Sequence, residues 1–201
     1  MKHLNIEGII IPIPESYKDC FELIRSDFYR ITGHSASPIK LWLSHFKSPS
    51  MGYLFYHRMC QYRGLFWPIL RLRLEKYRRK YSFHIPLSTK IGYGLFLGHD
   101  TSIIINESAI IGNNVNLSQF TTIGAMNSTA AIIEDEVYVG PSVCIVGHVH
   151  IGKRAMIGAG AVITHDIPAG ASAAGVPARV LNKNINYSPA QPYPLPQLPT
   201  S

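Results

Sequence analysis

From Ile85 to Ile163 an aliphatic residue returns at every sixth position, and this period constrains the fold more than any other feature of the chain. The series runs Ile85, Ile91, Leu97, slips by two residues to Ile105, Ile111, Leu117 and Ile123, and after a longer break resumes as Ile133, Val139, Ile145, Ile151, Ile157 and Ile163. Four residues after most of these stands a second small or aliphatic side chain, from Leu95, Thr101 and Ala109 through to Ala155 and Ala161. A period of six is neither the 3.6-residue repeat of a helix nor the alternation of a single strand. It fits a chain wound into a triangular prism, with one short strand per hexapeptide and three hexapeptides per coil. The aliphatic residues then stack into a continuous interior, and Gly or Asn turns the corners. An ordinary β-sandwich with chance Ile-Gly pairs would not hold the period over thirteen positions.

The repeats leave room for a second piece in front of them. The 201 residues divide into an expected helical segment, 1–82, a repeat domain, 83–182, and a Pro-rich tail, 183–201, expected to be flexible. Residues 1–16 look like an irregular arm broken by Pro12 and Pro14. Helices are expected over 17–32, with Ser16 as cap, Gly33 as stop and Phe21, Ile24, Phe28 and Ile31 on the buried face, then over about 38–48, from about Ser50 to Gly64, and over 67–81.

Charge separates the two halves. Residues 1–82 hold 14 Lys and Arg against 6 Asp and Glu, whereas residues 83–201 hold 5 against 6. The helix WPILRLRLEKYRRKY, 67–81, is amphipathic and basic, and it suits contact with an anionic membrane surface or a solvated helix face. No groove-reading motif accompanies the charge, so no nucleic-acid partner is expected. There is no run of about 18 apolar residues that would span a bilayer. The N-terminus lacks the cleavage site of a signal peptide, and Cys20, Cys60 and Cys144 are too far apart in sequence for a metal-binding pair. A cytoplasmic protein with reduced thiols and no metal is expected.

Chemistry is expected at the interruptions of the period. The slip after Leu97 must bulge outward, and it carries His99 and Asp100, with Asn106 and Glu107 close behind. An imidazole there can accept a proton from an attacking hydroxyl near neutral pH. A lone His is by default a solvated side chain; the slip and its polar neighbours distinguish this one. His84 lies within one coil of it. The second interruption is the loop GAMNSTAA, Gly124 to Ala131, and insertions in a solenoid commonly form its binding face. No serine elbow, phosphate-binding loop or dinucleotide fingerprint occurs. Direct transfer from an activated donor to a hydroxyl needs only a base and two aligned substrates.

The blocks GLFLGHDTSIIINESAIIGNNVNLSQFTTIG and VYVGPSVCIVGHVHIGKRAMIGAGAVITHDIPAGASAAGVPARV resemble the left-handed parallel β-helix acyltransferases, in particular serine acetyltransferases and their relatives in surface-polysaccharide loci. The resemblance covers about residues 83–182 and implies a mainly β fold, a left-handed parallel β-helix preceded by a small α-helical domain. It implies an acetyl-CoA-dependent O-acetyltransferase assembled as a homotrimer, with trimers able to pair. It assigns His99 as catalytic base, with His84 or Glu107 to orient it and Asp100 and Gln119 toward the acceptor. For acetyl-CoA it assigns Gly140, Gly158, Ala159, Gly160 and Ala161, with Lys153 and Arg179 for the phosphates. Several family features are replaced. An Asp that orients the catalytic His in serine acetyltransferases is His84 here, and the Asp directly before that His is Gly98. The Arg-His pair that holds the serine carboxylate has no counterpart in Gly124–Ala131, and the family's terminal Ile is Ser201. An unpaired carboxylate is costly to bury, so the expected acceptor is a neutral hydroxyl of a capsule or lipopolysaccharide sugar. L-serine is the alternative acceptor, and a non-catalytic scaffold the non-enzymatic one.

Overall fold

The computed structural model describes residues 1–197. The expected helices are present as α1 (Tyr17–Thr32), α2 (Pro38–Ser44), α3 (Pro49–Cys60) and α4 (Trp67–Tyr81). Local chemistry sets their ends. The Ser16 side chain accepts from the Asp19 amide, and Gly33, at φ 71°, closes α1 by donating to the Tyr29 carbonyl. The buried face of α1 is Cys20, Leu23, Ile24 and Phe28, while Ile31, expected inside, is exposed. Gly52 on α3 lies beneath the Tyr77 ring of α4, where a Cβ would come within 2.2 Å of the ring.

Residues 1–16, expected as an irregular arm, form a hairpin of β1 (Lys2–Ile6) and β2 (Ile9–Ile13), turned by Glu7 at φ 52° and Gly8 at φ 86°. Two successive positive φ values match the twist that a two-residue hairpin needs. Ile9 and Ile11 pack with Ile132 on the prism.

The repeats form a parallel β-solenoid with three faces. The first face stacks Lys90–Ile91, Ile110–Ile111, Ile132–Ile133 and His150–Ile151. The second stacks Phe96–Leu97, Asn116–Leu117, Tyr138–Val139, Met156–Ile157 and Ser172–Gly175, and closes with the antiparallel Ala178–Asn182. The third stacks Phe83–His84, Ile103–Ile105, Thr122–Gly124, Cys144–Val146 and Val162–Ile163. The sixfold series lines the interior, from Ile91 to Ile163, as one continuous core. At the slip, Thr101 is displaced from the inner position it was expected to fill, and Ile103, fully buried, takes it.

The helices are fastened to the first coil by polar contacts. Arg58 is fully buried and forms a two-pronged pair with Asp27, at 2.8 and 3.0 Å, while also donating to the carbonyls of Ile91 and Gly92. Asp27 in turn accepts from the Leu95 amide, and the Ser26 hydroxyl accepts from the Gly94 amide.

The tail, expected to be flexible, returns along the second face. Asn114 and Tyr193 exchange two hydrogen bonds of 2.7 and 3.0 Å, and the Tyr193 ring stacks on Tyr93 and meets Tyr29 edge-on. Tyr187 meets Tyr138 in the same way. The buried ring area holds a segment whose composition alone suggests disorder. The expectation about Ser201 lies outside the described residues.

Candidate active site

His99 stands on the edge between the second and third faces, at the outward bulge caused by the two-residue slip. Its φ is 63°, a left-handed corner, and its side chain is exposed with no hydrogen-bond partner among the described residues. A ring so placed keeps both nitrogens available to a substrate. The backbone beneath it is held by α3. The Ser50 hydroxyl donates to the His99 carbonyl at 2.9 Å, and the Ser50 amide donates to the Asp100 carboxylate at 2.9 Å. Asp100, expected to face the acceptor, is thus spent on the first turn of α3. A negative side chain suits that end of a helix, where free amides converge. Ser50 is the residue that sequence reasoning missed, because nothing local signals a contact across 49 positions.

The same edge carries the next coils upward. Ser142 N donates to the Gln119 carbonyl and Gly160 N to the Pro141 carbonyl, so Gln119, Gly140–Pro141 and Gly158–Gly160 stack above the slip. The Gln119 amide oxygen is buried without a partner among the described residues. An orphaned acceptor of this kind costs about 1–3 kcal/mol unless a ligand or water satisfies it. Gly160, at φ 69°, has open space where a Cβ would be, so a ligand can reach its backbone. Gly158, Gly160 and Ala161 donate their amides within the protein, whereas the Ala159 N–H makes no such bond among the described residues.

The other expected residues divide between packing roles, this edge and the other two. Gly140 is explained by packing, since a Cβ there would meet the Ile157 carbonyl at 2.8 Å, and Ala161 is fully buried inside the prism. Lys153 lies on the edge between the first and second faces, 3.7 Å from Glu136. Arg179 is exposed on the closing strand, where it pairs with Ala174 above Gly158 at the head of the His99 edge. Glu107 is on the edge between the third and first faces, where it accepts from the Ser88 hydroxyl at 3.4 Å. The strand Ile103–Ile105 separates it from His99, a span on the order of 10 Å at about 3.3 Å per residue. His84 pairs in register with Ile104 on the third face, its ring 3.5 Å from Arg78, and no hydrogen bond joins it to His99. Within one protomer neither His84 nor Glu107 orients His99. His148, near the inserted loop, contacts the Ala130 carbonyl at 3.2 Å.

The bacterial transferase hexapeptide family (six repeats) matches residues 130–165. The serine acetyltransferase of Escherichia coli K12 is 36% identical over 107 residues, which cover 51% of this chain and 39% of that protein. The chain therefore spans about two fifths of that relative's length. The serine acetyltransferase of Haemophilus influenzae is 29% identical over 201 residues, covering 94% of this chain and 73% of that one. Among solved structures, a serine acetyltransferase in complex with CoA superposes with a TM-score of 0.66 at 25% identity, over 82% of this chain and 70% of that one. Repeat, fold and relatives together make this chain similar to hexapeptide-repeat proteins, serine acetyltransferases among them.

Proposed function

We propose that the chain is an acetyl-CoA-dependent O-acetyltransferase with His99 as its general base. The observation that carries this reading is a single edge that stacks a free, outward-facing imidazole, an orphaned Gln119 oxygen and an open Gly160 corner. His99 takes the proton of the acceptor hydroxyl as its oxygen bonds to the thioester carbonyl carbon. The tetrahedral oxyanion forms beside His99, and the Ala159 corner, three coils above on the same edge, is left to the arm of CoA. Collapse breaks the carbon–sulfur bond, and the proton on His99 passes to the departing thiolate, giving an acetyl ester and free CoA. Arg179 suits the phosphates of CoA on this edge.

The scatter of Lys153 and Glu107 over other edges supports assembly as a homotrimer, in which an edge of one copy completes the site of the next. The relatives' names support L-serine as acceptor. The second reading, a neutral sugar hydroxyl, is favoured by one observation: residues 124–131 contain no Lys, Arg or His to pair with a carboxylate.

The test is thiol release from acetyl-CoA with L-serine or candidate glycans. Saturable turnover on serine selects the first acceptor; turnover on a glycan alone selects the second. His99→Ala should keep the fold and lower turnover at least ~100-fold. An unchanged rate removes His99 from the chemistry. A purified chain that neither binds nor cleaves acetyl-CoA is a scaffold.

A further inference from the structure

The outward stripe of α4 changes character along its length. Leu65, Phe66, Ile69 and Leu72 are exposed at its start, and Arg73, Lys76, Arg79 and Lys80 are exposed on the same side at its end. The spacing of three and four keeps the two groups in line on one helical face. The C-terminal part of α2 adjoins it through the Tyr77 hydroxyl, which donates to the His45 carbonyl, and adds exposed Trp42, Leu43 and Phe46. Between the helices lies a cavity of about 240 Å³, where Arg73, Lys76 and Lys80 face Phe46, Tyr77 and Tyr81 and no carboxylate lines the wall.

Charge decides what can cover this surface. The one acid of α4, Glu75, is already held by Arg71 at 2.6 Å and Arg78 at 3.2 Å. Arg73, Lys76, Arg79 and Lys80 make no ion pair among the described residues. A second copy meeting this face about a twofold axis would set cations against cations if the basic ends meet, or lay unpaired cations on Leu65, Phe66, Ile69 and Leu72 if the helices run antiparallel. An anionic bilayer supplies phosphates for the basic end and hydrocarbon for the apolar end. No helix among the described residues is long and apolar enough to cross a membrane, so the contact is peripheral.

We propose that α4, with the end of α2, docks in the plane of an anionic phospholipid surface, Ile69 and Leu72 entering the acyl boundary while Arg73, Lys76 and Lys80 seat a headgroup phosphate in their cavity. This is the arrangement of an interfacial amphipathic helix, with apolar insertion and basic attraction acting together. The surface adjoins the loop of His99, since the Ser102 amide donates to the Tyr81 carbonyl at 2.9 Å, but the proposal does not rest on the proposed reaction.

The test is co-sedimentation of the full chain with vesicles of phosphatidylcholine alone and with added phosphatidylglycerol, at low and high salt. Binding should require phosphatidylglycerol and weaken with salt. The triple variant R73Q/K76Q/K80Q should lose about two orders of magnitude in affinity, from about 1 kcal/mol per cation near such a surface. The variant I69S/L72S should also release the protein, while circular dichroism of both variants stays unchanged. Equal binding to neutral vesicles, or none to either, overturns the proposal. So does a halved molar mass of I69S/L72S in light scattering, which would make the occupant a second copy.

Discussion

The two halves of the molecule are held together in opposite ways. The prism interior is built from Ile, Val, Leu and Ala, and its buried polar residues (Thr89, Asn113, Asn114, Ser118 and Thr121) are all uncharged. The helical half buries Asp27, Arg30 and Arg58, and aims Asp27 and Arg58 at the first coil and Arg30 at Asn116 on the second. In the prism each coil needs only its neighbours, so stability accumulates by repetition. The helices sit on that stack through a few partners that cannot be exchanged. A buried ion pair adds little net stability over an apolar substitute, but breaking one strands a charge. The prism is therefore tolerant where the seam is exacting.

The strongest way to break this contrast is Arg58→Ala, which leaves the Asp27 carboxylate buried without its cation. It should cost about 3–5 kcal/mol, read as a fall in the denaturant midpoint. The paired change Asp27→Leu with Arg58→Met should cost much less, and equal losses would show that the charges themselves are not what makes the seam exacting.

A second probe uses His57, buried on α3 within 3.4 Å of the Pro86 carbonyl. Burial, with Arg58 beside it, pushes its pKa down to about 3. Below the ordinary value near 6.5, the unfolded chain gains a proton that the folded chain refuses. Stability from this group is complete at neutral pH and falls as the pH drops from about 6.5 toward 3. The slope is about 1.4 kcal/mol per pH unit, or about 2 kcal/mol by pH 5. His57→Gln should flatten that share of the acid slope in melts recorded from pH 7 to 5; an unchanged slope would place the acid sensitivity in the prism.

The smallest effect tests the clamp on the corner that carries the proposed base. Ser50→Ala removes one hydroxyl bond and should cost about 1 kcal/mol of stability. It should also lower turnover with little change in the KM for acetyl-CoA, since His99 loses support while the Gly158–Gly160 corner does not. A KM change without a turnover change would assign Ser50 to substrate binding instead.

The prism was legible because its interior is written at fixed local spacing; even the slip could be located, though not that Ile103 would replace Thr101. Helix ends were legible for a similar reason, as Ser16 and Gly33 act within four residues. The hairpin was missed because Glu7 is an unusual residue for a positive φ and the two prolines suggest a break. Composition does not reveal that Tyr193 of the tail will meet Asn114 and Tyr93. On the site, the slip in the period singled out His99, with Asp100 and Glu107 close behind it and His84 within one coil. Gln119, Gly158–Gly160 and Lys153 came from resemblance alone, and distributing all of these residues over the edges required the register of the coils. Ser50 was hidden because its partners are 49 and 50 residues away.

That clamp has a consequence for dynamics. The Ser50 amide and hydroxyl are occupied by the loop that carries the proposed base, so α3 cannot open at its first turn without releasing the His99 corner. Local opening of one is local opening of the other, in the sense that cooperative units of a protein unfold together. The protection of the Ser50 amide against hydrogen exchange is then a direct gauge of how often the base is out of place.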